Sequence, residues 1–203
     1  MQFFSFFFMT EKLLAYFAAV APLSDAEARA IQEGARVRFF PKGTLLAEEG
    51  ASVRDSYFIL QGCIREYCAL RDEEQTTNFF TEGEWALSLD SSPSVCYWVC
   101  NEDTTAVVGN EEAARELFRR FPRLESVSQM VMERVFAKYR RDVAAYRSDT
   151  PEQRYERLLR ERPSLLQRVA QYHIASYIGV QPESLSRMRK RLTEKSSSPP
   201  PSR

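Results

Sequence analysis

From Met9 onward, apolar residues recur at three- to four-residue spacing through Leu13, Leu14, Phe17 and Val20, which predicts an amphipathic helix. Pro22 interrupts it, and Ser24-Asp25 form a cap for a second helix over Ala26–Gln32. From Val37 the period shortens. Val37 and Phe39 alternate with arginines, and short runs follow at Ser56–Gln61, Cys63–Cys68, Asn78–Thr81, Val95–Cys100 and Thr104–Val108. Gly43, Gly50, Gly62 and Gly83 punctuate them. Short strands at close spacing with turn residues between them predict an antiparallel barrel or jelly roll.

Helical spacing returns after Gly109. Glu111–Arg120 reads as a short helix that ends at Phe121-Pro122. From Leu124 to Tyr146 no Gly or Pro intervenes. Leu124, Val127, Val131 and Val135 make one apolar stripe, with Met132, Phe136, Tyr139 and Val143 beside it. A stripe of double width needs two surfaces to cover it. The barrel is one, and the same helix of a second chain is the other, which predicts a homodimer. Ser148–Pro151 is a polar joint, helical segments follow to Leu192, and the low-complexity tail SSSPPPSR is expected to be disordered.

The segment Gln171–Leu192, QYHIASYIGVQPESLSRMRKRL, carries the most chemistry. Ile174, Ala175 and Ile178 share one helical face, and Ala175 is small where a second helix must cross closely. Gly179 stands where the chain has to turn, at an expected positive φ. Pro182 suits the first turn of the next helix and Glu183 its dipole. Leu185, Met188 and Leu192 repeat at three and four and form its buried face. The outward set is Gln181, Glu183, Ser184, Ser186, Arg187, Arg189 and Lys190. Arginine donates in pairs to guanine and glutamate accepts from cytosine, so this polar face suits a DNA major groove. The pattern is a helix-turn-helix.

Charge supports a basic C-terminal partner surface. The chain is neutral overall, with 28 basic and 28 acidic residues, yet Thr150–Lys195 holds 10 basic against 5 acidic. Hydrophobic content of 44% is that of a globular protein. The 4 cysteines, Cys63, Cys68, Cys96 and Cys100, are too few for a disulfide scaffold and are expected to be mostly reduced thiols in a cytoplasmic protein. No stretch reaches the length of a membrane helix, and MQFFSFFF lacks the features of a signal peptide, which makes Met9 a candidate translation start. Enzyme readings find no support. There is no phosphate loop, no His-Glu-x-x-His and no nucleophile elbow, and His173, the only histidine, lies in the helix-turn-helix. The same lone histidine argues against haem or zinc, and the cysteine spacing against an iron–sulfur cluster.

A barrel of short strands, a long dimer helix and a C-terminal helix-turn-helix together resemble the Crp/Fnr family of transcriptional regulators. FPKGTLLAEEGASVRDSYFILQGCIREY is similar to the family's early strands, and Glu183, Ser186 and Arg187 to the positions with which it reads bases. The resemblance implies an α+β chain. Its parts are an N-terminal jelly-roll effector domain with flanking helices (9–121), a dimerisation helix (122–147) and a winged helix-turn-helix-type domain (148–195), before a tail (196–203). It implies double-stranded DNA as partner, RNA polymerase as a further one, a cytoplasmic location and no membrane. It implies that Arg187 addresses a guanine and Glu183 a cytosine, with Ser184 on a phosphate. In nucleotide-binding members a Gly-Glu pair holds the ribose and an Arg-Ser pair the phosphate. Gly83-Glu84 matches the first, but the arginine position falls on Ser94. The corresponding pocket would comprise Gly83, Glu84, Trp85 and Ser94.

Between Asp72 and Ala114 there is no lysine or arginine, while 10 residues are acidic. Burying a phosphodiester there without a cation costs several kcal/mol. The expectation is a diverged effector pocket that does not take cyclic AMP, with no cofactor and no metal; a different small-molecule effector stays open. The alternative reading is a cyclic-nucleotide-type sensor or protein-interaction module that does not bind DNA.

Overall fold

A computed structural model describes residues 2–70, 73–88 and 92–197, with side chains between Thr10 and Leu192. Met9 as a start, and the tail beyond Ser197, lie outside the described residues and side chains. The chain divides into two compact units, Met1–Cys68 with Thr77–Val143, and Ala69–Thr76 with Ala144–Arg203.

In the first unit, α1 (Gln2–Ala18) and α2 (Asp25–Gly34) precede eight strands. These are β1 (Arg36–Phe40), β2 (Leu45–Ala47), β3 (Asp55–Gln61), β4 (Ile64–Leu70), β5 (Glu73–Phe80), β6 (Trp85–Ala86), β7 (Tyr97–Cys100) and β8 (Thr104–Asn110). They form two four-stranded sheets ordered β1-β8-β3-β6 and β2-β7-β4-β5, the crossed pairing of a jelly roll. The short β2 and β6 escape the sequence pattern because two or three residues show no alternation.

Strand β3 explains why its sequence run is continuously apolar. Tyr57 and Ile59 point into the barrel with Phe40, Ile64, Trp98 and Ala106. Phe58 and Leu60 point the other way, into a second cluster with Leu13, Ile31 and Leu124 from the helices. A strand covered on both faces has no polar side to show. Gly62, at φ 111, follows the register shift near the end of β3. A Cβ there would stand 2.6 Å from the Thr104 Cα, so no side chain fits.

The helix caps form as the sequence predicts. Ser24 caps α2, and its hydroxyl and amide bond Glu27 in a capping box. The Glu27 carboxylate also accepts from Arg123 at 2.6 and 2.8 Å, and Arg123 donates to the Pro22 carbonyl at 2.5 Å. The Ser24 amide, with Arg123 adding to it, holds Glu27 below its ordinary carboxyl range. α3 (Glu111–Arg120) is capped by Asn110, and α4 (Arg123–Ser148) is the long helix.

One expectation is corrected here. Cys68 and Cys96 are joined in a disulfide, so only Cys63 and Cys100 are thiols, and both are buried. The pairing arises from the β4–β7 ladder, whose last matched pair is Tyr67 with Tyr97; Cys68 and Cys96 face each other one step further on. Burial pushes the Cys100 thiol up to about 11.

The second unit contains the end of α4, then α5 (Pro151–Glu161), α6 (Leu165–Arg168), α7 (Gln171–Ile178) and α8 (Pro182–Ser197). Leu165, Ile174, Ala175, Ile178, Leu185 and Met188 are its buried apolar residues nearest the turn. Helix α8 continues through Ser196 and Ser197, so the first two residues of the expected tail are helical. No strand flanks these helices among the described residues 144–197, so the expected wing is not found there.

Candidate functional site

The C-terminal helices form a helix-turn-helix whose corner is built around Gly179. Its φ of 79° is left-handed, and its amide donates to the Ala175 and Ser176 carbonyls. The Val180 amide reaches the Ala175 carbonyl at 2.9 Å and completes a Schellman-type stop. Arg154 tightens the corner. Its guanidinium lies 3.9 Å from the Tyr146 ring centroid, and Nη1 donates to the Ile178 carbonyl at 2.7 Å. A Cβ on Gly179 would come within 3.0 Å of the Tyr146 hydroxyl and 3.1 Å of Arg154.

Beyond the corner, Leu185 and Met188 pin α8 to the unit at 1% and 5% exposure. Gln181, Glu183, Ser186, Arg187, Arg189 and Lys190 are exposed. Ser184 is half-buried and accepts a hydrogen bond from Arg187 at 3.3 Å. Six of the seven residues singled out on this segment thus face solvent, and the seventh props one of them. Arg191 contacts Glu152 at 3.8 Å instead. His173 is half-buried beside Tyr172.

One cavity in the barrel unit lies apart from the four residues of the expected pocket. That cavity, about 440 Å³, lies between β2 and β3, with Leu46, Val53 and Tyr57 in its wall and Glu48, Arg54 and Asp55 as its charges. None of the four lines it. Gly83, at φ 80, makes the turn before β6. The Glu84 carboxylate accepts from the Thr81 amide at 2.8 Å and pairs with Lys138 of α4 at 3.4 Å. Trp85 packs outside the barrel, against Tyr16, Phe17 and Phe58. The Ser94 hydroxyl donates to the Cys96 carbonyl at 2.6 Å, and its amide donates to the Ala51 carbonyl at 2.9 Å.

Sequence reasoning passed over Glu66. Its carboxylate faces the barrel interior, where it accepts from Trp98 Nε1 at 2.9 Å and from the Thr77 hydroxyl at 2.7 Å. It faces Trp98 only through the register of β4 against β7, which no local sequence signal encodes.

Comparison with known proteins settles the architecture. Residues 37–121 match the cyclic nucleotide-binding domain family. No curated protein sequence matches the chain. FixK2 from Bradyrhizobium japonicum is similar in structure at a TM-score of 0.66 and 16% identity, over 83% of this chain and 89% of that one. So is the c-di-GMP responsive global regulator CLP from Xanthomonas campestris, at 0.62 and 16%, over 85% and 93%. The catabolite activator protein of Thermus thermophilus aligns at 0.51 and 20%, over 91% of both chains.

The chain has the Crp/Fnr fold. The jelly roll, the long helix and the helix-turn-helix follow one another in the Crp/Fnr order. Within that fold, α4 has two unlike faces. Leu124, Val127 and Val131 are buried in their own unit. Phe136, Tyr139 and Tyr146 are 48%, 51% and 43% exposed. Of the second stripe read from the sequence, Phe136 and Tyr139 are exposed while Met132 and Val143 are half-buried, and Tyr146 extends the exposed face. No helix among the described residues is long and apolar enough to cross a membrane.

Proposed function

We propose that this protein is a homodimeric, sequence-specific DNA-binding transcriptional regulator whose effector pocket has diverged away from cyclic AMP. The observation that carries the reading is α8. Its apolar pair, Leu185 and Met188, is buried, and the opposite stripe presents Glu183, Ser186 and Arg187 to solvent. Arg187 and Glu183 are one helical turn apart, on the spacing of neighbouring base edges. Arg189 and Lys190 lie towards the flank, where the phosphates of a groove-bound duplex run. Glu183 is repelled by phosphate and can accept from a base-edge amino group, so the mixed face fits base edges better than a lipid headgroup.

The uncovered stripe of α4 supports the dimer. Phe136, Tyr139 and Tyr146 recur on one face at coiled-coil spacing. Two copies of a helix-turn-helix read two half-sites of a palindrome. Because Val131 is buried within its own unit, the useful disruption is at the exposed positions. Phe136→Glu with Tyr139→Glu should give a folded monomer by light scattering with no operator binding.

Cyclic AMP is disfavoured by charge. Ser94 stands at the position where nucleotide-binding members carry the phosphate arginine, and its hydroxyl and amide both serve local turns. Arg54, the one cation lining the cavity, is flanked there by Glu48 and Asp55.

Selection from random duplexes tests the reading directly. A palindromic consensus with steep salt dependence is the expected result. No enrichment, with salt-insensitive capture of a protein partner instead, would establish the interaction-module alternative. Calorimetric titration with millimolar cyclic AMP should give no saturable heat.

A further inference from the structure

The four cysteines fall into two pairs of opposite character. Cys63 and Cys100 are 0% and 1% exposed and unbridged, and burial holds the Cys100 thiol protonated. A buried, protonated thiol neither attacks nor is reached. Cys96 is 7% exposed and Cys68 is half-buried at the end of the barrel ladder, where the chain leaves the first unit. Cys68 is thus the less buried partner of the bridge.

We propose that Cys68–Cys96 is a reversible thiol–disulfide site that exchanges with small thiols in the folded protein and governs the β4–β5 hairpin. Cys68, in β4, stands opposite Cys96, the residue just before β7, with Cα atoms 4.3 Å apart. That is about the spacing of ladder neighbours whose side chains lie closest, about 4.5 Å, so the strand pair accommodates the two residues whether or not they are bridged. Opening the bond requires no unfolding of the sheet.

The exchange balances with a small thiol as reductant. Its thiolate attacks the more accessible Cys68 sulfur, the S–S bond breaks, and Cys96 leaves as thiolate and takes a proton. A second small thiolate attacks the mixed disulfide, which releases Cys68 and one small disulfide. Two electrons and two protons pass to the protein, and two small thiols are oxidised.

The location gives the site a consequence. Cys68 ends the first segment of the first unit, and the next residues, Ala69–Thr76, cluster with the C-terminal helices. In that cluster the Thr76 amide donates to the Ser176 hydroxyl at 2.8 Å, and that hydroxyl donates to the Glu74 carbonyl at 2.9 Å. Gln75 donates to the Ser176 carbonyl. Ser176 belongs to α7, the first helix of the turn motif. The bridge clamps the root of this hairpin to β7; reduction leaves the root held by ladder hydrogen bonds alone.

Two measurements on the full chain decide the matter. The native protein is equilibrated with reduced and oxidised glutathione at several ratios, quenched in acid, alkylated under denaturation and mapped by mass spectrometry. Cys68 and Cys96 should gain and lose label together, with Cys63 and Cys100 reduced at every ratio. A bridge that opens only after denaturation, or two thiols that never pair, would overturn the proposal. Hydrogen exchange over residues 69–76 should be several-fold faster in the reduced protein, and equally fast in Cys68→Ser and Cys96→Ser. Identical exchange in both redox states would overturn the link to the hairpin. Neither readout uses DNA, so the site stands or falls apart from the regulatory reading.

Discussion

The barrel and the C-terminal helices use their polar groups in opposite ways. In the barrel unit three carboxylates are satisfied internally. Glu84 is held by Thr81 and Lys138, Glu66 by Trp98 and Thr77, and Glu27 by Ser24 and Arg123. In the helical unit the polar stripe of α8 points outward, with the Ser184 hydroxyl under Arg187. A carboxylate held in this way cannot be offered to a ligand without first breaking a contact. A short helix pinned by two apolar side chains keeps a whole face available. The difference teaches that binding chemistry is easiest to find where stability does not depend on it.

The strongest way to break the comparison is to damage each unit separately. Gly62→Ala drives a Cβ into the Thr104 backbone at a positive φ and should cost the barrel about 3 kcal/mol. Both tryptophans, Trp85 and Trp98, lie in the barrel unit, so urea unfolding followed by their fluorescence should shift to lower midpoint. Gly179→Ala should cost the helical unit about 1–2 kcal/mol, visible in helical circular dichroism and not in the tryptophan signal. A tryptophan shift in both variants would show one cooperative body in place of two.

Next in size is the reading helix. Arg187→Ala should cost about 1–3 kcal/mol of operator affinity and relax the preference at one base pair per half-site, with stability unchanged. If the selected sequence logo stays that of the wild type, Arg187 contacts the backbone and α8 is rotated in the groove.

The internal carboxylates respond to acid. Glu27 titrates below its ordinary 4.5 in the folded state, chiefly through the Ser24 amide and then Arg123. Its contribution to stability is complete above the unfolded value and is lost as pH falls through the lower folded one. Glu27→Gln should therefore cost about 1 kcal/mol at neutral pH and give a shallower loss of stability on the acid side, measured as urea midpoint against pH.

The smallest effect belongs to the helix flank. Lys190→Ala should weaken all duplexes alike and reduce the slope of log affinity against log salt by about one. A changed consensus would move Lys190 onto a base edge.

Much of this was legible locally. The Ser24 cap, the helix Glu111–Arg120, the positive φ of Gly179 and the phase of Leu185 and Met188 each depend on residues within a turn or two of one another. The bridge between Cys68 and Cys96 depends on the register of β4 against β7, set by residues 28 positions apart, and no local spacing encodes it. The clustering of Ala69–Thr76 with the C-terminal helices is equally non-local. The packing of Trp85 against Tyr16, Phe17 and Phe58 was not legible, because a two-residue strand carries no period from which to tell inside from outside.

The way α8 is anchored bears on how such a protein diversifies. Leu185 and Met188 hold the helix, while Glu183, Ser186 and Arg187 are exposed. Exposed substitutions away from caps and strained positions change stability by about 0.5 kcal/mol or less. After gene duplication, one copy can therefore exchange these three residues singly and remain folded at every intermediate. Its exposed face can drift by small steps, with no compensating change elsewhere in the chain.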